Sequence, residues 1–132
     1  MNSKRGSILL EATMAVVLLT IAFVAVAHLL ALAARQKREV QWRTLARLEA
    51  TNAVERLMAR PWDELTPQIT DVSLSEFATE RLPQARLGIQ IHPVQGEIPT
   101  KKIQVRVDWV NLVGQRGQPV ELVAWKHNIP IQ

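Results

Sequence analysis

The chain has 132 residues, 48% hydrophobic and 21% charged, with 16 Lys and Arg against 12 Asp and Glu. This leaves room for one small domain once a long apolar segment near the N-terminus is subtracted, and the absence of cysteine excludes a disulfide framework and a thiolate metal site. The formal charge of +4 does not point to nucleic acid, because the basic residues are spread along the chain, interleave with acids from Glu39 onward and form no binding motif.

The first predicted element begins in the stretch KRGSILLEATMAVVLL, Lys4 to Leu19. From Ala12 to Ala34, 23 positions, no residue is charged and only Thr13, Thr20 and His28 are polar. At about 1.5 Å per residue a helix of that length crosses a hydrocarbon core of about 30 Å, so a membrane span is expected over residues 7–34. A conventional signal peptide is the competing reading, with Lys4 and Arg5 as its basic region and Ala31-Leu32-Ala33 as an A-x-A-like site. Its apolar core would normally run only about 7 to 15 residues, which fits this segment poorly.

Glu11 at the head of the span requires a reason, because a carboxylate at the bilayer centre costs roughly 2.5 to 3.5 kcal/mol on insertion scales. Either it snorkels to headgroups as an interfacial residue, or a partner charge compensates it. The surrounding pattern is a short basic leader ending in Gly6, then Ser7, the apolar triplet Ile8-Leu9-Leu10, Glu11 and the span. This pattern resembles the class III signal of type IV pilins and pseudopilins. The resemblance implies a leader over residues 1–6, cleavage by a prepilin peptidase between Gly6 and Ser7, and N-methylation of Ser7. Ser7 stands where the family usually carries phenylalanine. The resemblance also implies that Glu11, fifth in the mature chain, serves assembly by pairing with the new amine of its own or a neighbouring subunit. It places the N-terminus in the cytoplasm and the C-terminal part in the periplasm of a bacterial inner membrane. A bare count of flanking charges would orient the span the other way, since Arg35, Lys37, Arg38, Arg43 and Arg47 follow it; the leader is the more specific signal.

Beyond Ala34 there is no glycine or proline before Pro61, and the helix is expected to continue as a soluble half over residues 35–60. Glu39 and Arg43 stand four apart in the favourable order, and Ala50, Ala53, Val54, Leu57 and Met58 recur as an apolar stripe. Within this helix Thr44-Leu45-Ala46, Ala50, Asn52, Glu55 and Leu57 resemble the minor pseudopilin I of type II secretion and related minor pilins. Residues 61–84, with two early prolines and mixed polar and apolar residues, read as a loop region with a helical turn near Leu74 to Thr79. Asp63, Glu64, Asp71 and Glu76 lie there, but without the spacing of a calcium loop.

Residues 85–132 alternate. Leu87, Ile89 and Ile91 oppose Arg86, Gln90 and His92, while Ile103, Val105, Val107 and Trp109 oppose Gln104, Arg106 and Asp108. A less regular third run spans Val120 to Trp125, and Gly96, Pro99, Gly114, Gly117 and Pro119 mark the turns. The expected fold is α+β and pilin-like: a long N-terminal helix, transmembrane in its first half, packed on a small three-stranded antiparallel sheet. Trp109 and Trp125 are assigned to the core, with Trp62 partly exposed.

No histidine pair has the spacing of a zinc site, and no G-x-S-x-G, Walker loop or dinucleotide fingerprint occurs. The expected protein is not an enzyme and has no cofactor or metal. It is a minor pseudopilin at the tip or initiation complex of a short filament, whose partners are sister pseudopilins or pilins, the prepilin peptidase, an inner-membrane assembly platform and the membrane itself. The alternatives are a minor type IV or competence pilin, and an uncleaved, single-pass, membrane-anchored periplasmic binding module.

Overall fold

A computed structural model describes residues 3–129. The chain opens with α1 (Ser3–Met58), followed by a 3-10 turn (Trp62–Glu64), α2 (Glu76–Arg81), β1 (Arg86–Val94), β2 (Thr100–Asp108) and β3 (Val120–His127). Together the long apolar N-terminal helix and the open three-stranded antiparallel sheet form an α+β, pilin-like architecture. Two compact units are present, one ending at Arg38 and one beginning at Glu39.

The first unit is a single helical segment whose described side chains are all exposed. Its apolar surface is continuous, with Ile8, Leu9, Leu18, Leu19 and Phe23 each more than 60% accessible. A helix that is apolar all round and buries none of that surface is suited to hydrocarbon rather than water. This is the one described helix long and apolar enough to cross a membrane. Its internal hydroxyls are satisfied within the helix: Thr13 Oγ1 donates to the carbonyls of Leu9 and Leu10, and Thr20 Oγ1 to that of Val16. Such back-bonding removes the cost of carrying an unpaired hydroxyl into an apolar medium.

The second unit has its core between the remainder of α1 and the sheet. Ala46, Ala50, Ala53 and Leu57 recur at intervals of four, three and four along α1 and are all buried. They pack in one cluster with Ile91 of β1, Ile103, Val105 and Val107 of β2, and Val120 of β3. Small alanines on the helix and branched residues on β2 together make up that core. The stripe includes Ala46 and leaves Met58 at the exposed margin.

The sheet is a meander in the order β1, β2, β3. Arg86 pairs with Asp108 and Val94 with Thr100, while Thr100 also pairs with His127 and Val107 with Val120. β2 is therefore central and carries the three most deeply buried strand residues. Between β2 and β3 the chain turns tightly: Asn111 Oδ1 accepts from the amides of Val113 and Gln115, and Gly114 adopts φ +80°. That backbone conformation suits glycine.

One sequence expectation is corrected and two are refined. Trp125 is 53% exposed rather than in the core, because the ladder places Ile103 opposite Ala124 and Val105 opposite Leu122. Those pairs put Val120, Leu122, Ala124 and Lys126 on the helix side of β3 and Trp125 on the other face. Trp109 lies one residue beyond β2 and is half-buried against the core. Glu39 and Arg43 form no ion pair; the ion pairs among the described residues are Arg60–Asp71 and Arg116–Asp108.

Candidate functional site: the head of the apolar helix

Gly6, Ser7 and Glu11 all lie within α1, and all three are exposed. Ser7 and Glu11 stand four residues apart, so they share one face of the helix. A charge at the Ser7 backbone nitrogen would lie about four residue rises, roughly 6 Å, from the Glu11 backbone along the axis, within reach of a flexible carboxylate. Gly6 has open space around it: a Cβ built there meets no atom within 4 Å.

Glu11 differs from the other polar residues of the segment. Thr13 and Thr20 have internal acceptors, whereas no hydrogen bond or ion pair to Glu11 occurs among the described residues. An apolar groove lined by Leu9, Ala12, Thr13, Val16 and Val17 lies on the face of the helix away from Glu11. The arrangement offers one acceptor-only anion on an apolar helix, able to pair with a cation supplied from outside the segment. His28, farther along the same helix, is also exposed.

Two polar arrangements in the second unit join elements far apart in the sequence. Glu49, 8% exposed, accepts from the Ser75 amide at 2.9 Å and the Ser75 hydroxyl at 2.6 Å. Ser75 is the N-cap of α2 and its Oγ accepts from the Ala78 amide at 3.2 Å. In an ordinary capping box a Glu three residues into the helix returns to the N-cap amide. Here Ala78 occupies that place, and Glu49 of α1 supplies the carboxylate instead. The sequence signal was an acid set inside the buried stripe of Ala46, Ala50 and Ala53.

Lys101 and Lys126 are paired neighbours on β2 and β3 and face the helix side. Lys126 Nζ donates to the carbonyls of Met58 and Arg60, the former at 2.9 Å, at the C-terminal end of α1. Lys101 Nζ donates to the carbonyls of Trp62 and Leu65 at 2.8 and 2.9 Å and lies 4.5 Å from the Trp62 ring centroid. Four carbonyls and an aromatic face thus separate two like charges, and the negative end of the helix dipole favours the cation near it. Nearby, Arg60 donates to Asp71 Oδ2 at 2.6 Å, a hydrogen bond that holds the Asp71 carboxyl below the usual range and raises the Arg60 guanidinium further.

An open groove of about 220 Å³ lies among Glu39, Val40, Arg43, Trp109, Asn111 and Gly117. No cluster of three or more His, Cys, Asp or Glu with metal-holding geometry occurs among the described residues, so the four loop acids are not drawn together. Comparison with family profiles, with curated proteins and with solved structures finds no match to this chain.

Proposed function

We propose that this protein is a minor pseudopilin of a bacterial type II secretion system, processed between Gly6 and Ser7 and built into the tip or initiation complex of a short filament. The observation that carries the reading is Glu11: a carboxylate five positions after a glycine that ends a basic leader, on an exposed apolar helix, with the hydroxyls of Thr13 and Thr20 satisfied and itself unpaired among the described residues. The pilin-like combination of long helix and small sheet supports the same reading.

In this mechanism the apolar segment stores the subunit in the inner membrane, with residues 1–6 cytoplasmic and the sheet unit periplasmic. Cleavage removes Lys4 and Arg5 and creates an ammonium at Ser7. Glu11 then compensates that charge, its own or that of the preceding subunit, which makes correct axial register the only one without a buried unpaired carboxylate. Catalysis resides elsewhere: the peptidase and the assembly platform act on this chain, and its own groups supply charge and surface.

The test is the intact mass of the chain purified from membranes of a host that expresses a prepilin peptidase. The parent is expected to lose residues Met1 to Gly6 and to gain one methyl at Ser7, while Gly6→Ala retains the leader. A parent mass that still includes the leader identifies an uncleaved membrane anchor instead, and removal up to Ala33 or Ala34 identifies a secreted domain.

A further inference from the structure

The apolar segment ends in Arg35, Lys37 and Arg38, three cations in four residues, followed by Glu39, which forms an ion pair with none of them among the described residues. All three are exposed, and none takes part in an ion pair or side-chain hydrogen bond among the described residues. Arg35 and Arg38 stand three apart and are therefore neighbours on one helix face, where like charges repel. A shared anion removes that repulsion, and two guanidinium forks match the oxygens of a phosphate.

Position identifies the source of the anion. Arg35 directly follows the last apolar residue, and Arg38 lies about 4.5 Å farther along the axis, at 1.5 Å per residue. A headgroup layer adds roughly 5 to 7 Å to each side of the hydrocarbon core, so both guanidiniums fall within it. On the same face, at spacings of three and four residues, Ala27, Ala31 and Ala34 leave a shallow, exposed apolar strip leading into the core. An acyl chain fits such a strip, with its phosphate at the arginines.

We infer that Arg35, Lys37 and Arg38 form a binding site for anionic phospholipid at the distal end of the span, with phosphate held between Arg35 and Arg38. The inference rests on the membrane placement of α1 proposed above. It gives these cations a role on the side of the membrane where the flanking-charge rule disfavours them.

The test uses the full chain reconstituted in phosphatidylcholine vesicles containing spin-labelled phosphatidylglycerol or phosphatidylcholine, with Arg35→Gln/Lys37→Gln/Arg38→Gln as the variant. These positions are exposed and Gln is a good helix former, so the variant retains the helix. The parent is expected to associate with phosphatidylglycerol at least about threefold more strongly than with phosphatidylcholine, given roughly fivefold per charge as an upper range. That preference falls by half or more in the variant and in 0.5 M salt, where the Debye length is only a few ångströms.

Equal association of both lipids with the parent overturns the proposal, as when a second helix covers the alanine strip. An undiminished preference in the variant overturns it too. Loss of preference on adding inorganic phosphate at constant ionic strength assigns the site to free phosphate and overturns the lipid assignment. A chain that fails to float with the vesicles defeats the membrane reading itself, an outcome distinct from floating without lipid preference.

Discussion

Glu49 illustrates how one buried carboxylate organises two elements. Its two oxygens take both Ser75 donors, leaving the Ser75 hydroxyl oxygen free to accept the Ala78 amide. Replacing Glu49 by Ala strands the Ser75 amide and frees the capping hydroxyl from the carboxylate that holds it. The expected loss is about 1 to 3 kcal/mol, read as a lower denaturant midpoint of the detergent-solubilised chain followed by tryptophan fluorescence. Asp71 acts in the opposite setting, at the surface. Its hydrogen bond from Arg60 favours the ionised form in the folded state. Its contribution is therefore complete above the unfolded carboxylate pKa of about 3.9 and is lost as pH falls through the lower folded value. Asp71→Asn is expected to lower stability at neutral pH and to flatten the acid limb of the stability profile below pH of about 4, measured by the same unfolding assay.

At the scale of elements, α1 in the second unit and the sheet are joined by an apolar stripe and closed by a polar clasp. The stripe is deep: Ile103, Val105 and Val107 are fully buried. Ile103→Ala is expected to cost about 2 to 5 kcal/mol, since the removed methyl groups leave a cavity in the fully buried core. The clasp is Lys126, which bonds carbonyls at the helix end from the third strand. Lys126→Met keeps the aliphatic length and removes the donors, so the last turn of α1 loses its cap. The expected signature is faster amide exchange in α1 near Leu57 and a modest global loss of about 1 kcal/mol. Both changes act on pairings between residues far apart in the chain.

At the scale of the whole molecule, the two units have opposite relations to water. The first buries none of its apolar side chains, whereas the second gathers a set of them into a buried core. This division predicts that Glu11 variants separate assembly from stability. Glu11→Ala is expected to leave the unfolding transition of the sheet unit within about 0.5 kcal/mol of the parent, as for exposed positions generally. The same variant is expected to abolish co-purification of sister subunits from a reconstituted secretion system. Normal incorporation of Glu11→Ala into filaments would refute the assembly role.

Local pattern alone was sufficient for the apolar segment, the leader-like spacing of Gly6, Ser7 and Glu11, the helix to the neighbourhood of Pro61, two alternating runs and a less regular third. Each depends on neighbours within one element: run length, helical or strand period, and a proline that ends a helix. Tertiary structure decided which face of β3 is inward. Val120, Leu122 and Ala124 form one apolar set and Val123 and Trp125 another, and only pairing with β2 selects between them. It likewise made Glu49 a partner of the α2 N-cap and brought Lys126 of β3 to the end of α1. Those roles required partners 26 and 66 to 68 residues away. Hydrogen bonds over such separations arise only when the chain has packed, because no periodicity in the sequence records which donor will meet which acceptor.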